Sequence, residues 1–306
     1  MIYDEPYEHQ ASRVAAGLFN PITGKVMQKT WNAEKLFPCL HDFYREAEKL
    51  TGTRFFFPKP ICIPFLSIEE QNNWMIGTND FVEEVYASSR YNGIVKDNYG
   101  AVVLKHSGYL DTIKYLEAVK KLFHVERSFD YHNLKHEAKG IIFCEGVKVK
   151  SNPFFDWVPI VPLKGETLIV KLNRDLPLIF NRGVFVVPMG GGMHRVGSTY
   201  SHDTREGPTE NGKTELRQKL GALMTIPYTF YHHDWGVRPT TPDRRPLVGR
   251  HPTHENMWIF NGLGTKGVSL APWASGMLCE ALEKGLQIEN TINISRFYAL
   301  YSKFRD

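Results

Sequence analysis

The sequence predicts a mixed α/β fold of two interleaved lobes, and three observations carry that prediction. The chain opens on MIYDEP, an apolar run closing on an acid, which is the pattern of the second strand of a dinucleotide-binding unit. Helical and strand periodicities then alternate as far as IIFCEG. From Gly146 onward the pattern changes to short β-rich segments, GETLIVKLN, GVFVVPM and HRVGSTYS, separated by Gly or Asp turns, which predicts an antiparallel sheet.

The elements follow in order. Leu36, Leu40, Phe43, Ala47 and Leu50 have helical spacing, and Pro38 should kink that helix or mark its start. TRFFFPKPICIPF and NYGAVVLKH read as strands, and a second helix should run from Asp111, its N-cap, through Leu116, Val119 and Phe123. The run Gly190, Gly191, Gly192 is followed by a strand; a phosphate loop needs a helix there, so a hairpin turn is expected. MWIFNGLGTKGVSLAPWASGMLCEALEKG is strand, then Gly262-x-Gly264-x-x-Gly267, then helix, with too little chain after it for a second parallel strand ending in an acid. It is either a packing turn or a closing strand-to-helix turn whose amides and positive helix end face an anion-like group.

Composition excludes several classes. A formal charge of +4 with Lys and Arg spread along the 306 residues gives no nucleic-acid stripe. No stretch approaches the roughly eighteen apolar residues of a membrane span, and no leader pattern is seen, so a cytoplasmic protein without membrane contact is expected. Cys39, Cys62, Cys144 and Cys279 form no CxxC pair and read as buried free thiols. In YHHDW, His232 and His233 are adjacent and would point to opposite faces of a strand, a poor chelate, so no metal is expected. Arg238, in DWGVRPTTPDRRPLVGRHP, lies in a Pro-rich stretch that reads as a rigid loop. Its guanidinium is either a bidentate clamp for a carboxylate or half of an ion pair with Asp234 or Asp243.

Taken in order, ASRVAAGLFNPITG, IIFCEG, VPLKGETLIV, FVVPMGGGMHRVGSTY, GVRPTTPDRRPLVGRHP and FNGLGTKGVSLAP resemble the D-amino-acid oxidase family of FAD-dependent oxidoreductases, and within it the glycine oxidase branch. The resemblance implies an FAD-binding, Rossmann-like lobe of the glutathione-reductase type, interleaved with an antiparallel substrate lobe. It divides the chain into FAD-binding parts at 1–50, 108–150 and 236–306, with substrate-lobe strands at 51–107 and 151–235. It implies that Asp4, with Glu5 as the alternative, is the ribose-binding acid, and that Ser12, Arg13, Ala15, Ala16 and Gly17 form the loop passing the pyrophosphate and flavin. Gly146 would lie beside the adenosine, and Gly262, Gly264, Thr265, Lys266 and Gly267 at the flavin pyrimidine edge.

For catalysis the resemblance implies that Arg238 holds the substrate carboxylate while a hydride passes from the amine-bearing carbon to flavin N5, with dioxygen as the final acceptor. Phe185 stands where a glycine oxidase has a substrate-facing tyrosine, and Thr265, with Lys266 next to it, where the family has a second basic anchor. The family's opening strand and GxGxxG turn would precede Asp4, so the resemblance also implies an N-terminally truncated lobe. The expected function is oxidation of a small-molecule amine or amino acid. A tRNA wobble-uridine modification-type flavoenzyme and a non-catalytic remnant that binds no FAD are the alternatives.

Overall fold

The computed structural model describes every residue except 6–8, 24–27, 77–78, 128, 132–139 and 304–306. Among the described residues the dominant element is an eight-stranded sheet. Its order is Tyr228–Thr240, Val161–Leu172, Met193–Gly197, Val184–Gly190, Ile179–Arg182, Ile61–Pro64, Ala101–Leu104, Val82–Tyr86. Only the pairing of 179–182 with 61–64 is parallel. Side chains alternate between the faces, so the same strands feed two cores. On one face Leu168, Val170, Val186 and Val196 pack against Leu216, Leu220 and Leu223 of the Glu210–Leu223 helix. On the other, Ile61, Ile63, Val102, Leu104 and Val187 meet Phe19, Ile22, Leu36, Leu40 and Leu270.

Two of the smaller sheets carry the other parallel pairs among the described strands. Ile141–Phe143 runs parallel to Met257–Asn261, which pairs antiparallel with Leu247–Arg250. Ile2–Tyr3 runs parallel to Val125–Glu126. The Phe129 ring bridges these groups, 5.1 Å from the Tyr3 ring and 5.9 Å from that of Phe143. Ligands of open α/β sheets sit beyond the carboxyl ends of parallel strands, and here those ends are followed by Gly146 and Gly262.

Several sequence expectations change in detail. The first long helix spans Ala33–Thr51, so Pro38 lies inside it instead of starting it. An interior proline costs about 3 kcal/mol. Burying Leu36, Phe37, Leu40 and Tyr44 on one face returns roughly 1.5–3 kcal/mol for each side chain, and outweighs it. Asp111 does cap its helix, its Oδ1 accepting from Lys114 N at 3.1 Å, but the helix ends at Lys120 and leaves Phe123 exposed. The Gly190–Gly192 run is the expected hairpin turn between antiparallel strands. Of the four thiols expected to be buried, Cys62 is, whereas Cys39 is half-buried and Cys144 and Cys279 are exposed, Cys144 just after an edge strand and Cys279 on a surface helix.

Burial also sets an acid limit on stability. His41, packed edge-on against Phe19 and Phe56, and His194 are both held below the ordinary imidazole value of 6.5 by desolvation. The unfolded chain therefore binds protons near that pH which the folded chain refuses until lower pH. Their contribution is intact above about pH 6.5 and is lost as pH falls below it. The urea midpoint should accordingly decline on acidification, and His41→Leu should flatten the decline; a parent midpoint that rises from pH 7 to 5 contradicts this.

Candidate active site

The two glycine turns converge on the end of one long strand. Gly146 (φ +58), Gly262 (φ +72) and Gly264 (φ +55) all adopt the left-handed conformation that glycine permits at little cost. Asn261 Nδ2 donates to Gly146 O at 2.9 Å, and Gly264 N donates to Pro239 O at 3.0 Å. A Cβ on Gly262 would fall 2.8 Å from Thr241 Cγ2. The Gly267–Lys284 helix starts immediately after, its first turn closed by Ser269 N and Leu270 N donating to Lys266 O, each at 3.0 Å. Thr265 is exposed. Lys266 turns inward, donating to Thr23 Oγ1 at 3.0 Å and Thr30 Oγ1 at 3.1 Å. Desolvation, aided by the cations of Arg245 and Arg244, brings its ammonium down to about 8.

Arg238 lies in a strand, not in a loop. It sits in Tyr228–Thr240, opposite Leu163, and Pro239 follows it in the same strand. That strand is the sheet's edge, where a proline without an N–H is tolerated. Its partner Val161–Leu172 is continuous through Gly165, a residue that reads from sequence as a turn before the strand. A strand glycine marks close approach, and here the approach is by the Arg238 guanidinium. A Cβ on Gly165 would lie 2.0 Å from Arg238 Nη2. Nη2 donates to Ser198 Oγ at 2.9 Å, Nη1 lies 3.5 Å from Thr199 O, and the Tyr200 ring centroid is 5.2 Å from Cζ.

Among the described residues no carboxylate pairs with Arg238. Asp234 is taken by Arg195 at 2.7 Å and His232 at 3.0 Å, and Asp243 by Arg296 at 2.8 Å. The ion-pair alternative for Arg238 therefore fails with both acids named for it. Phe185 is on the same face, opposite Gly197, whose added Cβ would sit 3.0 Å from the ring and 2.7 Å from Thr167 Cγ2. His233 turns to the other face, its Nε2 2.9 Å from Glu166 Oε2. No group of three potential metal ligands occurs among the described residues. Nor is any helix among them long and apolar enough to cross a membrane.

The remaining predicted positions divide. Ala11–Val14 forms one helical turn against the Arg238 strand, with Ala11 Cα 3.4 Å from where a Gly236 Cβ would stand. Ser12 and Ala15 on this turn are exposed, Arg13 Nε donates to Gln10 Oε1 at 3.2 Å, and Ala16 packs against the inner core. Gly17 (φ +65) is required for packing, since a Cβ there would fall 1.8 Å from Leu110 O. Asp4 is engaged by Lys120 Nζ at 3.0 Å and Glu5 by Lys148 at 3.3 Å. Sequence reasoning missed Gly165, Ser198, Thr23, Thr30 and Asn20. Only Gly165 carried a signal, a glycine inside an otherwise strand-like run.

A Gly165→Ala protein should keep the fold, because the atom it displaces is the far end of a side chain, but it should shift the guanidinium. A KM for carboxylate-bearing amines at least several-fold higher, with an unchanged melting temperature, is expected.

Residues 4–281 match the sequence profile of a family described as FAD dependent oxidoreductase. The glycine oxidase of Pseudomonas aeruginosa is 28% identical over 130 residues, covering 41% of this chain and 36% of that protein. The Bacillus subtilis glycine oxidase is 33% identical over 128 residues, covering 40% and 34%. The matched stretch thus spans about a third of those relatives' length. Iminodiacetate oxidase from Chelativorans sp. BNC1 superposes with a TM-score of 0.77 at 17% identity, covering 94% of this chain and 89% of that one. Glycine oxidase from Bacillus cereus gives 0.76 at 16% identity, covering 95% and 91%. These structures share the fold, and the profile match spans nearly the whole chain: the protein belongs to the D-amino-acid oxidase family of FAD-dependent oxidoreductases.

Proposed function

We propose that this chain holds FAD at the glycine junction and oxidises an amine that bears a carboxylate. The observation that carries the reading is Arg238, a desolvated guanidinium with no carboxylate partner among the described residues. A buried cation without a counter-charge is costly and is kept where a ligand completes it. One hydroxyl and one distant carbonyl use few of its five donors, and a planar fork matches a carboxylate.

The residues present fit FAD. Gly146 and Gly264, both at positive φ, leave backbone open to close approach near the carboxyl ends of parallel strands, whereas the space beside Gly262 is filled by Thr241 and Leu247. Around the start of the Gly267–Lys284 helix stand two donor groups: the Lys266 ammonium, held by the Thr23 and Thr30 hydroxyls with no carboxylate partner among the described residues, and Asn20 Nδ2, buried and unpartnered among them. Such a donor set suits the electron-rich pyrimidine edge of a flavin. Gly146 would lie beside the adenosine, Ser12 to Gly17 along the pyrophosphate and ring, and Gly262 to Gly267 at the ring edge. Asp4, whose Oδ2 accepts from Lys120, would hold the ribose.

When bound, FAD supplies the two-electron oxidising capacity for converting amine to imine. Arg238 binds and orients the substrate carboxylate, and Ser198 and Gly165 fix the plane of the guanidinium. Phe185 gives an apolar wall in place of a hydroxyl, which favours a substituted amine over free glycine. Lys266 holds positive charge where negative charge arrives on the ring.

Anaerobic mixing of the FAD-loaded chain with N-alkyl amino acids and with the matching amines lacking the carboxylate tests this. Bleaching of the visible flavin band by the acids alone is expected; equal bleaching by both series contradicts it. Because the Lys266 ammonium lies at about 8, the flavin midpoint potential should change its pH slope near that pH. Below it the charge is present and reduction is favoured. Lys266→Met should remove the inflection, as spectroelectrochemistry across pH 6.5–9.5, about that value, would register.

A further inference from the structure

Asn20 is one of the buried polar side chains left unsatisfied among the described residues, and it is linked to this site. It is 6% exposed, and its orientation is set by one bond: Oδ1 accepts from Ile22 N at 3.0 Å. Rotating the amide would set two donors against each other, so Nδ2 is the group left over, and it has no partner among the described residues. Its backbone carbonyl accepts from Thr30 Oγ1 at 3.1 Å, and Thr30 Oγ1 in turn accepts from Lys266 Nζ at 3.1 Å. Asn20 is thus tied through a single hydroxyl to the lysine at the start of the Gly267–Lys284 helix. It also stands three residues after Gly17, in the stretch ASRVAAGLFNP. A buried amide donor without an acceptor costs on the order of 1–3 kcal/mol. Phe19 and Ile22 beside it are fully buried, so solvent does not relieve that cost.

We infer that Asn20 donates from Nδ2 to an electron-rich oxygen or nitrogen of the bound flavin, completing with Lys266 a two-donor clamp on one edge of the ring. The inference rests on the reading that this chain binds FAD. It assigns Asn20 to contact with the cofactor, a role distinct from the backbone amides at Gly264 to Gly267. The clamp favours the reduced, electron-rich ring over the oxidised one, because a donor bond strengthens as its acceptor gains charge.

The test compares the parent chain with Asn20→Asp, which keeps the Ile22 bond and the side-chain shape but replaces the donor by an acceptor. FAD is titrated into each apoprotein by fluorescence quenching, and the midpoint potential is measured by spectroelectrochemistry. The melting temperature is recorded with and without FAD. The expected result is an Asn20→Asp apoprotein that still melts cooperatively, an FAD dissociation constant raised at least tenfold, and a midpoint potential shifted negative. Asn20→Leu, in which no new charge is introduced, should also weaken FAD binding and lower the potential. Parent-like dissociation constants and potentials in both variants overturn the inference while leaving the FAD reading intact. A parent chain that takes up no FAD at all overturns both.

Discussion

Replacing Arg238 by methionine raises the KM for carboxylate-bearing amines by roughly 10²- to 10³-fold, the effect of truncating one partner of a buried charge-assisted pair. The fold should survive, because in the free protein the guanidinium makes one short hydrogen bond, to Ser198 Oγ, and stacks beside an exposed tyrosine. Removing a desolvated charge can even raise the melting temperature. Steady-state rates for an amino acid and its carboxylate-free amine should then separate the roles. In the parent the acid is strongly preferred; in Arg238→Met the preference collapses because the acid worsens and the amine does not. Arg238→Lys should recover little, since an ammonium is a point charge that does not reproduce the fork lying flat on Gly165. An unchanged KM in Arg238→Met would remove the carboxylate from the account.

Gly17→Ala should unfold the chain or nearly so. The added Cβ would stand 1.8 Å from Leu110 O and 2.8 Å from Leu110 C, both backbone atoms that cannot rotate away, at a residue whose φ is +65. Leu110 N also donates to Gly17 O at 3.0 Å, so moving the backbone to relieve the overlap breaks the short pairing of Leu18–Phe19 with Gly108–Leu110. Left-handed strain alone costs about 1 kcal/mol, and the backbone overlap adds several more by comparison with overpacked cores. Circular dichroism of the FAD-free protein is the deciding measurement. A loss of structure without FAD identifies Gly17 as a packing glycine; a native spectrum with weakened FAD uptake would move its importance to the cofactor.

What the sequence made legible was whatever local periodicity and local chemistry decide. The hairpins from 161 onward, the Asp111 cap and the closing strand–glycine–helix turn are each determined by residues within a few positions of one another. The surroundings of Arg238 were legible only in part, because they are assembled across strands. Arg238 stood out in the sequence, yet its strand environment did not, since Pro239 and the prolines after it look like a loop until an edge position removes the need for an N–H. Gly165 looked like a turn for the related reason that its purpose, room for a guanidinium 73 residues later in the chain, exists only once two strands pair in register. Asn20 gave no signal at all. An unsatisfied amide is a property of the packed surroundings, not of the letters FNP.

The central claim, that this chain holds a flavin at the junction of Gly146, Gly262 and Lys266, is tested most directly by the visible absorption spectrum of the purified protein after addition of FAD and gel filtration. The account predicts a yellow protein, with flavin bands displaced from those of free FAD and FAD bound in a one-to-one ratio. A colourless protein, with all added FAD eluting at small-molecule volume, would contradict it.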